Sequence, residues 1–259
     1  MSYFSPSDYV SLVAMTSGDL CSDVDRQRLH RRLIDLHNKL YPRIREYDLR
    51  LHPNPEIPGG VSQKSVSIPT IANTMTLIYL RSPAEAEVVE SLMGRDALCA
   101  TGDIEVQRHP VIELRITPDH FVVEFIIAPD AWYDQQNFIG KLSVYQNRQL
   151  FYQILTQLQD DYLLGFWCGI HLDDTHLNTK HLPPAPILYE YLDTFADRRD
   201  WLRIGRWYTP NDTALDDNNV VEELFERIRD LYRVYTFMAW TSKNNFHSLY
   251  QKTLNDSNH

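Results

Sequence analysis

The chain has 259 residues, 43% of them hydrophobic and 23% charged, and a formal net charge of −10. That balance belongs to a folded chain long enough to bury a large core, and it excludes a disordered one. The acidity argues against general attraction to phosphate backbones, no apolar run of about eighteen residues offers a membrane span, and the start "MSYFSPSDYV" lacks the basic and apolar regions of a secretion signal.

In chain order, Ser5-Pro-Ser-Asp opens a short helix over 5–16. A longer helix is predicted from about Ser22, with Val24, Leu29, Leu33, Leu36, Leu40 and Ile44 forming its apolar stripe and Pro42 kinking or ending it. The stretch from His52 to Thr70, with four prolines and the Gly59-Gly60 pair, reads as a long surface loop, functional or mobile. A strand follows around Met75–Leu80. Then comes a helix that Ser82 caps, Pro83 begins and Gly94 ends.

The clearest β signal is "PVIELRITPDHFVVEFIIAP". Ile112, Leu114 and Ile116 alternate with Glu113, Arg115 and Thr117, and Phe121, Val123, Phe125 and Ile127 alternate with Val122, Glu124 and Ile126. With Pro118 and Asp119 at the turn, this predicts an antiparallel hairpin of 111–117 with 120–128, its second strand central. Two helices are expected at about 133–143 and 147–158, the second with a stripe of Leu150, Phe151, Ile154, Leu155 and Leu158. The apolar run 161–170 reads as a central strand, 186–200 as a helix and 201–210 as a strand. Val220 to Tyr235 holds the helical period for four turns, with Asn219 and Glu222 spaced as a capping box. A shorter helix is expected over 237–250.

Chemistry concentrates in "GIHLDDTHLNTKHL", Gly169 to Leu182. His171, Asp173, Asp174 and His176 follow a strand, a common place for catalysis, and His nitrogens with Asp oxygens suit zinc, manganese or iron. His171, Asp173 and His176 are the candidate metal ligands, joined by His181 only if the loop folds back. The five-residue His spacing is not the helical HExxH pattern, and a polar loop with Asp acceptors explains the same residues. With no glycine in this stretch after Gly169, a sharp turn to bring the ligands together is costly. Cys168, three residues before His171, offers a nucleophile, but an apolar run makes a thiol inert. Cys21, Cys99 and Cys168 form no CxxC pair and read as reduced thiols of a cytoplasmic protein. Asp103 and Glu105 lack the lysine of a nuclease motif, and no Walker A, GxGxxG or GxSxG sequence occurs.

Residues 26–50 carry eight basic and three acidic side chains, a local charge of +5. Arg28, Arg31 and Arg32 make this helix a candidate face for an acidic partner or nucleic acid. The plain alternative is a solvated polar face, paired with the acidic remainder.

The order of "HPVIELRITPDHFVVEFIIAP", "LLGFWCGIHLDDTHLNTKHL" and "LYEYLDTFADRRDWLRIGRWYTPNDTALDDNNVVEELFERIRDLYRVYTF" resembles the YktB-like group of uncharacterised bacterial proteins, over roughly residues 105–240. The chain departs from that group in the 52–70 loop, where the group's basic segment has no counterpart. The resemblance implies an α+β fold and carries over no activity and no functional residue.

These readings predict a single α+β domain over 1–259, with a mostly antiparallel central sheet, helices packed on it and helices at both chain ends. They predict a cytoplasmic protein without a cofactor that acts by binding another protein, not nucleic acid or membrane. The 15 Tyr and 5 Trp, suited to interface anchors, and the irregular 52–70 loop point that way. The competing class is a metal-dependent hydrolase or other enzyme using His171, Asp173, Asp174 and His176. A weaker one is a nucleic-acid-associated protein using the 26–50 helix. The oligomeric state is not written in the sequence.

Overall fold

The structure, a computed structural model, describes residues 2–13, 21–55, 57–67, 73–94, 104–158, 161–169 and 176–246. Among them are seven α-helices, α1 (Pro6–Val13), α2 (Cys21–Glu46), α3 (Pro83–Leu92), α4 (Trp132–Leu142), α5 (Tyr145–Thr156), α6 (Ala185–Leu192) and α7 (Val220–Met238). The eight strands are β1 (His52–Pro53), β2 (Val61–Ser62), β3 (Met75–Leu80), β4 (Val111–Ile116), β5 (Phe121–Ile127), β6 (Leu163–Gly165), β7 (Leu177–Asn178) and β8 (Leu202–Tyr208). The strands form one open sheet in the order β1-β3-β4-β5-β8-β6-β7, with β2 also on β3, and every pairing is antiparallel. This is a mixed α+β fold with helices toward both ends.

The predicted hairpin forms with Ile112 opposite Phe125 and Leu114 opposite Val123, and β5 is central between β4 and β8. Ser82 and Glu85 close a capping box on α3, and Gly94 turns the chain with φ +84°. The α2 stripe is real from Leu29 to Ile44, all fully buried, but Val24 is 68% exposed and lies outside it. Leu150 is likewise exposed, while Phe151 and Leu155 hold the α5 stripe.

Pro42 does not end α2, which runs on to Glu46. The buried Leu40 and Ile44 on either side hold that turn to the core and offset the single hydrogen bond the proline removes. The 52–67 stretch is not a free loop either. His52 and Pro53 pair with Leu80 and Tyr79, and Val61 and Ser62 pair with Leu77 and Thr76. Gly59 and Gly60, at φ +74° and +73°, make the reversal between them.

The 161–170 run yields only the three-residue β6, second from the edge. The Trp167 ring folds back over Gly165, where an added Cβ would lie 2.1 Å from it, and pairing stops there. The helix expected over 186–200 ends at Leu192: the Asp200 carboxylate accepts the Ala196 N–H, Arg198 takes φ +59°, and the segment becomes a turn. Asn219 makes no side-chain cap on α7: its amide donates to the Thr213 carbonyl, and Glu222, the other half of the expected box, pairs with Arg43 at 2.7 Å. Of the helix expected over 237–250, Phe237 and Met238 belong to the end of α7, 239–245 are non-helical, and Phe246 is helical again. The Asn244 amide donates to the Phe237 and Ala239 carbonyls and closes a compact turn, and 247–250 lie outside the described residues.

The sheet has two unlike faces. Leu77, Ile112, Leu114, Phe121, Val123, Phe125 and Ile204 join the main core, to which α2, α5 and α7 contribute Leu33, Phe151, Leu224 and Ile228. The other face carries a smaller apolar cluster of Val66, Ile78, Leu80, Val111, Ile126 and Ala128, and beside it a group of charged side chains.

Candidate functional site

Alternation along three neighbouring strands puts Glu113 and Arg115 of β4, Glu124 of β5 and Arg203 of β8 on that second face. All four side chains are fully buried. Glu113 stands directly opposite Glu124 in the β4–β5 ladder, a repulsive pairing by itself. The arginines resolve it. Arg115 Nη1 donates to Glu113 Oε1 at 2.7 Å and Nη2 to Glu124 Oε2 at 3.1 Å. Arg203 grips Glu124 in two-pronged fashion, Nε to Oε1 at 2.8 Å and Nη2 to Oε2 at 2.6 Å. Gly205 lies opposite Glu124, where an added Cβ would sit 2.8 Å from the Glu124 Cγ, so only glycine leaves room for that carboxylate arm.

The group is neutral as a whole and its members tune one another. Burial pushes the Glu124 carboxyl up, but Arg203 and Arg115 outweigh burial and hold it below the usual carboxylate range. Burial pulls Arg203 below its usual value, and the nearby Arg115 adds to that. Trp167 and Trp207 lie 4.9 and 5.9 Å from the Arg203 guanidinium and provide a partly apolar wall with favourable ring faces.

The quartet reaches beyond the sheet and holds two covering segments. Glu113 accepts the Ser65 hydroxyl at 2.6 Å and the Val66 N–H at 2.8 Å, and Arg115 donates to Ser67 Oγ at 2.7 Å. Arg203 Nη1 donates to the Gly169 carbonyl at 2.6 Å. The two segments also bond to each other, Gly169 N–H to the Ser67 carbonyl at 3.2 Å. Outside this clamp, Gln63 and Lys64 are exposed. They border a cleft of about 600 Å3 with Ile57, Val66, Ile104 and Val106 in its wall.

Of the residues singled out in the sequence, His171, Asp173 and Asp174 lie outside the described residues, as do Asp103 and Cys99. His176 is half-buried just before β7, and His181 is exposed in the short turn after it. Among the described residues no group of three or more His, Cys, Asp or Glu side chains is placed to hold a metal ion. Cys168 is exposed rather than buried in an apolar strand, since the strand stops at Gly165.

The basic helix is largely paired. Arg28 reaches the buried Asp8 carboxylate at 3.2 Å and Asp25 at 3.1 Å, and Arg32 reaches Asp8 at 3.0 Å. Lys39 pairs with Asp35 and Arg43 with Glu222, each at 2.7 Å. Among the described residues Arg31 makes only a 3.3 Å bond within its own helix, to the Gln27 carbonyl, and Arg26 bonds to Gln63. Arg26, His30, Arg31 and Gln63 share a shallow depression.

Alternation in the sequence puts Glu113, Arg115 and Glu124 on the face away from the main core, but nothing local in it marks the segments that cover that face. The signal available was Glu113 and Glu124 on facing strands with arginines at 115 and 203, a set that makes chemical sense only as a mutual network. No described helix is long and apolar enough to cross a membrane. Compared with known proteins, the chain matches no family model and none of the curated proteins, so the resemblance over 105–240 stands on its quoted residues alone.

Proposed function

We propose that this chain is a binding protein whose partner is another protein, engaged through an acidic segment of that partner. The observation that supports it is the clamp. Holding Ser65 to Ser67 beneath the surface leaves Gln63 and Lys64 outward, Gln63 in a depression shared with Arg26 and Arg31 of α2 and Lys64 bordering the cleft next to it. Arg26, Arg31 and Lys64 have no carboxylate partner among the described residues, on a chain of net charge −10. A local positive surface on an acidic protein selects a partner with complementary charge and rejects general polyanions. Arg28 and Arg32 are tied to Asp8, so two of the three arginines that would have served a nucleic acid are committed within the fold.

The test is selection from a displayed random peptide library, followed by affinity measurement on the enriched peptides. Enrichment of Asp/Glu-rich sequences is expected. Their affinity should fall with salt and drop about tenfold or more in Arg26→Glu/Arg31→Glu/Lys64→Glu. No enrichment, peptides without acidic excess, or equal affinity in the triple variant would sink the reading. Salt-sensitive binding of DNA or RNA lost in the same variant would replace it with the nucleic-acid class.

A further inference from the structure

The cleft beside the clamp differs in kind from the basic depression next to it. Its floor is the edge of the smaller apolar cluster, where Val66 is 3% and Ile78 5% exposed. Ile57, Ile104 and Val106, each half-buried, carry that apolar surface up the walls. Gln63, Lys64 and Glu105 stand exposed at the rim. Glu105 pairs with Arg108 at 2.6 Å, so Lys64 sets the sign of the rim. An apolar floor inside a polar rim is the make-up of a pocket that takes a partner's side chain.

The cleft is also preformed. Glu113 accepts the Val66 N–H from beneath the floor. The Thr76 hydroxyl donates to the Lys64 carbonyl and the Lys64 N–H donates to Ser62 Oγ, each at 2.9 Å. The main chain at Lys64 is committed within the fold, so a partner gains side-chain contacts there and not an added β-strand. Walls already fixed cost little further ordering on binding.

Gln63 lines both the cleft and the basic depression, and Arg26 donates to its Oε1. The two surfaces make one footprint, positive on one side of Gln63 and apolar on the other. Their contributions differ. Solvent-facing charges such as Arg31 and Lys64 steer and speed an encounter, whereas an apolar side chain buried in a fixed pocket slows its reversal. We infer that the partner's acidic segment carries one bulky apolar side chain, of the leucine or phenylalanine type, which seats in the cleft while the carboxylates meet Arg26, Arg31 and Lys64. At about 3.3 Å per extended residue, a spacing of roughly two to four residues carries the segment past the one intervening side chain. This rests on the acidic-partner reading and adds what gives that partner its specificity.

Short synthetic acidic peptides test it on the intact chain by surface plasmon resonance, each with a single Leu, Phe or Ser stepped along either side of the acidic run. At one spacing the Leu or Phe peptide should bind about tenfold tighter or more than its Ser match, as burying such a side chain allows. The gain should lie in the dissociation rate. Val106→Trp fills the cleft and should abolish that preference, with an unchanged melting temperature showing that it is folded. Arg26→Glu/Arg31→Glu/Lys64→Glu should instead slow the association of Leu and Ser peptides alike. Ser peptides that match Leu and Phe at every position, with binding still lost in the triple variant, overturn this inference and leave the acidic-partner reading standing. A folded Val106→Trp that keeps the preference overturns it in the same way, and where that variant does not fold the peptide series decides alone. Leu or Phe peptides whose binding survives the triple variant, or no binding by any peptide, overturn both.

Discussion

Replacing Glu124 by Gln removes one negative charge from the centre of the buried quartet and changes almost nothing in shape. Glu124 accepts from Arg203 at 2.8 and 2.6 Å and from Arg115 at 3.1 Å. Glutamine keeps one carbonyl oxygen and turns an NH2 group toward guanidinium donors, so at least one contact becomes donor against donor. The quartet passes from neutral to +1 where all four side chains are fully buried. Removing one partner of a buried ion pair costs about 3–5 kcal/mol. At roughly 2–4 °C per kcal/mol for a domain of this size, that is a fall of about 6–20 °C in Tm. Urea unfolding reads it as a lower midpoint at unchanged slope. The pH dependence has a definite sign. With its folded value held below the usual carboxylate range, Glu124 adds stability above that range and loses it as pH falls through the lowered value. The gap between wild type and Glu124→Gln should begin to close near pH 4, roughly the ordinary glutamate value, and close fully below it. The companion variant Glu113→Leu/Arg115→Met/Glu124→Leu/Arg203→Met should unfold within about 1 kcal/mol of wild type, since apolar replacement of a whole buried network is commonly neutral. Yet it should expose the Val66 and Gly169 amides to hydrogen exchange, because the clamp is gone. A wild-type midpoint for Glu124→Gln refutes the burial of an uncompensated charge. A fourfold variant as unstable as the single one refutes the idea that the network serves the covering segments rather than the sheet.

Phe225 is 1% exposed, 4.9 Å from the Tyr47 ring and 4.5 Å from the Arg43 guanidinium, so it joins α7 to α2. Phe225→Ala should cost about 3–5 kcal/mol by denaturant unfolding, and an unchanged midpoint would deny it a core role. Burial pulls the Lys141 amine down to about 8, while its Nζ donates to the Phe237 carbonyl and Asn244 Oδ1 at 2.5 and 2.6 Å. The unfolded chain then binds more protons than the folded one above pH about 8, so stability relative to Lys141→Met should rise from there toward pH about 10, and a falling difference would contradict it.

The elements legible in the sequence were those whose period and end signals agree locally. The hairpin over 111–127 needs only alternation and a Pro-Asp turn, and α3 needs only Ser82, Pro83, Glu85 and Gly94. What was not legible depends on residues distant in sequence. The 161–170 run is as apolar as a central strand, but Trp167 closes over Gly165 and its pairing lasts three residues. The Pro- and Gly-rich 52–67 stretch looks like a loop because its partner, β3, supplies the hydrogen bonds its own sequence does not promise. The basic helix is the same lesson in charge: Arg28 and Arg32 resemble an open cationic face until Asp8, some twenty residues earlier, is seen to hold both.

The polarity of the second sheet face follows from what covers it. An apolar face is best covered by an amphipathic helix, which satisfies its own backbone; an irregular segment cannot, and brings its N–H and C=O groups with it. Buried against an apolar sheet, those groups would go unpaired at a cost comparable to the hydrogen bonds lost. On this chain the sheet supplies the partners. Glu113 receives the Val66 N–H, and Arg203 donates to the Gly169 carbonyl. Where a covering side chain is apolar, as at Val66, the sheet below it is apolar too, with Ile78, Leu80, Val111 and Ile126. A carboxylate and a guanidinium each fix direction as well as position, so Ser65, Ser67 and Gly169 can bond this network only in one register. A greasy face would hold the same segments in many. Arginine–glutamate pairs, indifferent for stability, are thus what a sheet needs when it must present particular loop residues, Gln63 and Lys64 here, at one fixed place on its surface.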